Sequence, residues 1–156
     1  ESLIDFNLKK LFTNNSDYVL NYFINSSFIT SEYTKSEING VVGNAVEFIP
    51  NINIKTGVRF GYKDFLASLQ YSYLSRQFSD ATNATGGSIS GVTGEIPAYD
   101  ILDFSASYKY KFIKLETGVN NLLNNSYFTR RATGYPGPGI IPSSPRNYYV
   151  TLEFKF

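Results

Sequence analysis

The side chains that most often perform covalent chemistry are missing from this sequence. It contains no cysteine and no histidine, which removes thiolate nucleophiles, zinc sites of the usual kind and the commonest general base. The acidic residues are scattered along the chain, and no clustered pair suggests general acid–base catalysis. The residue types therefore favour binding over bond breaking, and we expect neither an enzyme nor a bound cofactor.

Arginine supplies the binding chemistry that remains. Its planar guanidinium group can bind a carboxylate through two parallel hydrogen bonds. Arg76 lies near the end of an apolar segment, and Arg130 and Arg131 begin a stretch rich in proline and glycine. Tyr135, in the same stretch, could add hydrogen bonding or stacking. These four residues are our candidates for contact with a ligand.

The segments that must position these residues alternate between apolar and polar side chains, which indicates β-strands. The clearest segment ends the chain, and its apolar face continues to the last residue. The residues of that face are Tyr148, Val150, Leu152, Phe154 and Phe156. Earlier alternating segments are 2–10, 17–30, 51–62, 65–78, 99–112 and 114–128. We therefore predict about seven strands and no helix.

The predicted connections alternate between short and long. The short ones are 11–16, 63–64 and a turn near 113, and the long ones are 31–46, 79–98 and 129–145. Membrane β-barrels show this asymmetry, with short periplasmic turns and long outer loops. The strands are also long enough for the roughly 9–11 residues that a tilted membrane strand needs. The pattern predicts an all-β, antiparallel, up-and-down transmembrane β-barrel.

Composition agrees with this prediction and excludes other classes. Aromatic residues make up 17% of the chain, all of them Tyr and Phe, and membrane barrels carry aromatic girdles at both interfaces. The net charge of +1 argues against a nucleic-acid-binding protein. No apolar run approaches the roughly 18 residues of a transmembrane helix. A soluble β-sandwich, such as a lectin, remains the alternative, but a partner would have to cover its tyrosine-rich face.

Seven strands do not make a closed barrel by themselves. The two edges of an open sheet would expose unpaired backbone groups to lipid, and single-chain bacterial barrels have an even number of strands. We therefore expect residues 1–156 to be the C-terminal part of one larger barrel domain. The remaining strands would precede Glu1 or lie on another chain.

Residues 114–156 resemble the C-terminal region of TonB-dependent receptors. The resemblance is carried by the segment G-V-N-N-L-L at 118–123, by Tyr127, by an arginine-bearing loop and by the aromatic last strand. The family more often has Phe and Asp where Leu123 and Asn124 stand here. Within the family, residues 130–140 resemble the last outer loop of ferric dicitrate receptors. The resemblance extends more loosely through 51–112, and the asparagine cluster also predicts a turn or bulge.

This resemblance implies a barrel of about 22 strands that holds an N-terminal plug domain, of which this chain would supply the last seven strands. Such receptors lie in the outer membrane of Gram-negative bacteria and contact its lipid. The implied ligand is a ferric chelate, either ferric dicitrate or another siderophore, taken up with energy from TonB. Neither the plug nor the segment that contacts TonB is in this sequence. Alternatives are another cargo (cobalamin, haem or a glycan) and a barrel that does not transport.

The resemblance also suggests roles for the candidate residues. We hypothesise that Arg76, Arg130 and Arg131, together with Tyr135, contribute to the ligand vestibule. The alternative is that these arginines are solvated loop charges or partners of lipopolysaccharide phosphates. The C-terminal strand resembles the strand that the barrel assembly machinery recognises, with its signal on the apolar face defined above.

Overall fold

The computed structural model describes residues 1–134 and 137–156. It contains one 7-stranded antiparallel sheet and two 2-stranded sheets. In chain order the elements are β1 (Ser2–Asn7), α1 (Lys9–Phe12), β2 (Tyr18–Phe28), β3 (Ile52–Tyr62), β4 (Phe65–Leu74), β5 (Gln77–Phe78), β6 (Glu95–Ile96), β7 (Tyr99–Tyr110), β8 (Ile113–Asn120), β9 (Phe128–Ala132), β10 (Gly139–Pro142) and β11 (Asn147–Phe154).

The large sheet is an up-and-down meander with the order β1-β2-β3-β4-β7-β8-β11. The remaining strands form two small hairpins, in which β5 pairs with β6 and β9 pairs with β10. The predicted all-β, antiparallel fold is therefore confirmed. The sheet does not close on itself within this chain, because β1 and β11 are its two edges.

The strand register gives the sheet one continuous apolar face. Val58 of β3 lies opposite Tyr22 of β2 and Leu69 of β4, and Leu69 lies opposite Phe104 of β7. Since side chains alternate with a period of two, this register keeps the apolar residues of all neighbouring strands on the same side. Val58 and Leu69 are 40% and 42% exposed.

The opposite face of the sheet is polar, and aromatic rings cover two of its glycines. A Cβ atom at Gly57 would lie 2.8 Å from Cζ of Phe23 and 2.4 Å from the backbone oxygen of Leu69. A Cβ atom at Gly118 would lie 2.6 Å from the ring of Tyr149. Only glycine leaves room for these rings to lie against the backbone, an arrangement known to compensate for glycine in strands.

The structure corrects several sequence-based boundaries. The one-turn helix α1, at Lys9–Phe12, was not predicted, and β1 ends before it. The segment predicted as one strand over 65–78 is divided into β4 and β5, and the strand predicted over 114–128 ends at Asn120. The turn near 113 centres on Lys111, whose φ is +52°. These departures arise where turn geometry and hydrogen bonds override an apolar pattern that continues past the strand end.

The tightest packing lies outside the large sheet. Val41, Ile96 and Ala132 are exposed by 2%, 0% and 3% respectively, and each lies in a different long connection. A single sheet layer cannot enclose a core of its own, so side chains become fully buried only where the connections pack on one another. Within the described ranges, no helix is long and apolar enough to cross a membrane.

Candidate functional site

The three long connections, 29–51, 75–98 and 121–146, leave the same end of the meander and are hydrogen-bonded to one another. Asn83 joins the first two: the backbone N–H of Ala45 donates to Asn83 Oδ1 at 2.7 Å, and Asn83 Nδ2 donates to the Ala45 oxygen at 2.8 Å. The Phe48 N–H also donates to the Phe78 oxygen at 2.9 Å. These bonds position the first connection against the second.

Arg131 joins the second connection to the third. Its Nε and Nη2 donate to the backbone oxygen of Glu95 at 3.2 and 2.7 Å, and its Nη1 donates to the Gly91 oxygen at 2.9 Å. The guanidinium carbon also lies 5.2 Å from the centre of the Phe128 ring, within range of a cation–π contact. Most of the binding capacity of Arg131 is therefore used within the protein.

A groove of about 630 Å³ lies among the three connections. Its volume falls within the range of small-molecule sites, roughly 300–1,000 Å³. The lining combines two apolar side chains, four hydroxyl side chains, one carboxylate and two guanidinium groups. The lining residues are Phe48, Val92, Ser79, Thr93, Thr129, Thr133, Asp80, Arg130 and Arg131.

The charged side chains of this groove differ in whether they already have partners within the protein. Arg130 is exposed, and it makes no ion pair with any residue in the described part of the chain. Asp80 is held locally, because its Oδ1 accepts hydrogen bonds from the backbone N–H and the hydroxyl of Thr82. The groove thus carries two positive charges and one negative charge, and Arg130 is the cation available to an anionic ligand.

Arg76 lies outside this groove. It follows the end of β4, its side chain is 62% exposed, and Nη1 lies 3.5 Å from Oε2 of Glu95. Its guanidinium carbon lies 5.9 Å from the centre of the Phe78 ring. The structure therefore brings Arg130 and Arg131 together at the groove and leaves Arg76 beside it.

The candidates from the sequence and the residues that line the groove do not fully coincide. Tyr135 lies outside the described residues. Phe48 and Asp80 line the groove, although the sequence analysis did not identify either residue as a candidate. The only signal for Asp80 is the spacing Asp80-x-Thr82, which is typical of a side chain that bonds its own turn.

Inside the first connection, Tyr33 and Glu47 form a strong contact. The Tyr33 hydroxyl donates to Oε2 of Glu47 at 2.5 Å. This hydrogen bond, together with burial and the negative charge of Glu47, raises the pKa of Tyr33 above its usual value. The contact bridges residues 14 positions apart and so constrains the loop that presents Phe48 to the groove.

The asparagine cluster after β8 anchors the start of the third connection. Asn121 is 2% exposed and has a φ of +53°. Its N–H donates to Oδ1 of Asp103 on β7 at 2.9 Å, and its side chain bonds both the N–H and the oxygen of Asn125. The predicted turn is therefore confirmed. No group of three acidic side chains that could hold a metal ion occurs in the described ranges.

The apolar face of the last strand is presented at the edge of the sheet. Tyr148 and Val150 are 70% and 68% exposed, and they lie opposite Val119 and Thr117 of β8. Phe156 follows the end of β11, and its ring stacks on that of Phe154 at 6.5 Å between centres. The five residues predicted for this face thus stay accessible to lipid or to another strand.

Comparison with known proteins identifies the architecture. A family profile described as "TonB dependent receptor-like, beta-barrel" matches residues 4–122. Among solved structures, the ferric citrate transporter FecA in its unliganded form aligns with 99% of this chain and 23% of its own, at 23% identity and a TM-score of 0.88.

Two further siderophore receptors show the same fold at lower similarity. The ferric yersiniabactin uptake receptor FyuA from Yersinia pestis aligns at 20% identity and a TM-score of 0.71, over 88% of this chain and 21% of its own. The siderophore receptor PiuA from Acinetobacter baumannii aligns at 20% identity and a TM-score of 0.67, over 92% and 20%. The chain spans less than a quarter of the length of these structures. Since the family profile covers most of its residues, the chain belongs to the TonB-dependent receptor-like β-barrel family.

Proposed function

We propose that this chain is the C-terminal barrel segment of an outer-membrane receptor of a Gram-negative bacterium, and that the receptor imports a ferric chelate. Family membership and the fold shared with FecA, FyuA and PiuA support this proposal. The complete receptor would have a barrel of about 22 strands with a plug inside it, and TonB would drive uptake. The barrel assembly machinery would insert the barrel by recognising the apolar face of β11. The cargo is ferric dicitrate or another anionic siderophore complex.

The groove among the outer connections is the observation on which the ligand assignment rests. A ferric chelate brings its own iron ligands, so the protein has to supply cations and hydrogen-bonding groups. Arg130 offers an exposed guanidinium group, which can bind a carboxylate through two hydrogen bonds. The hydroxyl groups of Thr93, Thr129 and Thr133 in the lining can donate to further oxygens of the ligand.

The three arginines would have different roles in this proposal. Arg130 contacts the chelate directly. Arg131 positions the third connection through the carbonyl oxygens of Gly91 and Glu95 and adds positive charge to the groove. Arg76 lies outside the groove and would act on the ligand at a distance. Glu95 partly neutralises the charge of Arg76, which weakens this effect. Tyr135 remains a proposed ligand contact.

The test is ferric dicitrate binding by the complete receptor, measured by isothermal titration calorimetry. A hydrogen-bonded ion pair contributes roughly 1.5–3 kcal/mol, so Arg130→Gln is expected to weaken binding about tenfold or more. Arg76→Gln is the matched control, and we expect its affinity to change by less than about threefold, as for an exposed ion pair. Unchanged affinity in the triple Gln variant of Arg76, Arg130 and Arg131 would contradict the proposed vestibule.

A second measurement separates the cargo from the mechanism. Uptake of ferric dicitrate by cells that carry the receptor should stop when TonB is removed. If the receptor imports a cargo that is not a ferric chelate and this uptake still requires TonB, the cargo assignment is wrong and the proposed importer stands. Uptake that persists without TonB would contradict the proposed importer itself.

A further inference from the structure

Three neighbouring strands of the large sheet carry charge of one sign only. Together β2, β3 and β4 contain no acidic residue, and their only charged residues are Lys55 and Arg59 of β3. The strands on either side do contain acidic residues, namely Asp5 in β1 and Asp100 and Asp103 in β7. The positive charge of β2–β4 is therefore not balanced within these three strands.

Both cations lie on the polar face of the sheet. Lys55 is directly opposite Asn25 of β2 and Ser72 of β4. Arg59 follows four residues later on the same strand and so shares this face, at a distance of roughly 13 Å along the strand. Both side chains are exposed, and in the described part of the chain neither has an ion-pair partner.

The acidic side chains that share this face on the flanking strands already have other partners. Oδ1 of Asp5 accepts a hydrogen bond from Nδ2 of Asn21 at 3.0 Å. Oδ1 of Asp103 accepts one from the backbone N–H of Asn121 at 2.9 Å. Neither aspartate forms an ion pair with Lys55 or Arg59 in the ranges that the structure describes.

The surface around the two cations is neutral and rich in hydrogen-bonding groups. Gly57 lies between them on the polar face, and the ring of Phe23 covers it. The guanidinium carbon of Arg59 lies 5.9 Å from the centre of this ring, within range of a cation–π contact. Most of the other side chains of this face are amides and hydroxyls, among them Asn21, Asn25, Asn53, Ser68, Gln70 and Ser72.

We propose that the polar face of β2–β4 is a path along which the anionic chelate moves from the groove into the barrel, with Lys55 and Arg59 as two successive contact sites. This inference rests on the proposed function, in which the polar face lines the lumen. Lys55 lies near the start of β3, at the end of the sheet where the long connections form the groove, and Arg59 lies nearer the short turn.

The arrangement of the two cations suits passage rather than storage of an anion. Pores for anions are lined by Arg and Lys side chains, and conduction requires sites that attract the ion but release it again. Lys55 and Arg59 are exposed, and they are spaced along the strand instead of converging on one point. Each can therefore attract the chelate without enclosing it.

The experiment compares the uptake of radioactive ferric dicitrate by cells that carry the complete receptor, at saturating chelate, with the calorimetric affinity of the purified receptor. In Lys55→Gln/Arg59→Gln we expect the saturated uptake rate to fall about tenfold, the lower end of the effect that a cleft lined by one sign of charge has on the entry of an ion. The dissociation constant should stay within about twofold of the wild-type value, as for substitutions outside the binding site. Lys55→Glu/Arg59→Glu should lower the uptake rate further, and Lys55→Arg/Arg59→Lys, which keeps both charges, should preserve it.

The matched control is Lys9→Gln/Lys10→Gln, which removes the same charge from α1, outside the sheet, and should leave the uptake rate unchanged. Equal uptake rates in wild type and Lys55→Gln/Arg59→Gln would overturn the inference and leave the proposed function standing. Weaker calorimetric binding with a normal saturated rate would also overturn it, because the cations would then belong to the binding site.

Amide hydrogen exchange of the plug tests the competing role of the two cations as anchors for an acidic plug segment. We expect exchange in the plug to be the same in wild type and Lys55→Gln/Arg59→Gln. Faster exchange in the variant would mean that the cations hold the plug, and the inference would be wrong. Failure of the wild-type receptor to bind or import the chelate would overturn the proposed function and this inference together.

Discussion

Arg131 donates two hydrogen bonds to the backbone oxygen of Glu95, from Nε at 3.2 Å and from Nη2 at 2.7 Å. The carboxylate of the same glutamate pairs with Arg76. Glu95 therefore contacts Arg131 through its backbone and Arg76 through its side chain. This relationship makes Arg131 a structural link between two of the long connections and leaves Arg130 as the accessible cation of the groove.

The first prediction concerns this link. Arg131→Gln removes the guanidinium fork, and we expect the hairpin β9–β10 to open more readily by about 1–2 kcal/mol. This value is at or below the lower end of the range for hydrogen bonds to a charged group, because the site is partly exposed. Amide hydrogen exchange in β9 and β10 should then accelerate roughly 5- to 30-fold. Arg76→Gln should leave this exchange unchanged. Equal protection of the hairpin in wild type and Arg131→Gln would contradict the assigned role.

The second prediction concerns the link between the first and second connections. Asn83 bonds both the N–H and the oxygen of Ala45 while holding a φ of +54°. Asn83→Ala loses both hydrogen bonds and adds backbone strain, so we expect local opening to become easier by about 2–3 kcal/mol. Asn83→Asp keeps the acceptor and tolerates this φ, and should have a smaller effect. Limited proteolysis of 29–51 and 75–98 measures the difference, and equal cleavage of both variants would argue against it.

The third prediction compares two glycines of the polar face. Gly57→Ala forces its Cβ to within 2.4 Å of a backbone oxygen, whereas Gly118→Ala meets only the movable end of the Tyr149 side chain. We expect Gly57→Ala to destabilise the folded receptor by about 1–3 kcal/mol or more, and Gly118→Ala to have a smaller effect. Gly86→Ala, with no atom within 4 Å of the added carbon, is the control. The temperature at which the folded form is lost, followed as a band on an electrophoresis gel, ranks the three variants. A lower temperature for Gly118→Ala than for Gly57→Ala would contradict the packing.

The fourth prediction is a pH dependence in the first connection. Since Glu47 raises the pKa of Tyr33, the protonated phenol is favoured in the folded protein. Its hydrogen bond therefore stabilises the loop fully below the unfolded pKa of about 10, and this contribution is lost as the pH rises through the folded value. The difference in tyrosinate absorbance between wild type and Tyr33→Phe should have its midpoint above pH 10. A midpoint at or below that value, or one unchanged by Glu47→Gln, would count against the contact.

Strand alternation in the sequence was sufficient to predict the large sheet. In β3, the polar positions Asn53, Lys55 and Arg59 separate Ile54 and Val58 with a strict period of two, and the strand was found within one residue of its predicted start. The alternation also determined which face is apolar, because register and face are linked. The pairing of β9 with β10 could not be predicted, since the prolines and glycines of this stretch carry no alternating pattern.

The candidate site was only partly predictable. Arg130 and Arg131 are recognisable by residue type, but their different roles depend on contacts with Gly91 and Glu95, about 40 residues earlier. Asp80 and Phe48 reach the groove only through the folding of their loops. Contacts between distant loops leave no periodic signal in a single sequence, so the groove is evident only in the folded structure.

The most direct test of the account is the environment of two adjacent positions on β3. The chain has no cysteine, so spin labels can be attached at Val58→Cys or Arg59→Cys in a complete receptor free of other cysteines and reconstituted in a bilayer. The account predicts that the label at 58 collides mainly with lipid-soluble oxygen and the label at 59 mainly with a water-soluble nickel complex. Equal access of the nickel complex to both labels would contradict a membrane-spanning strand with its apolar face toward lipid.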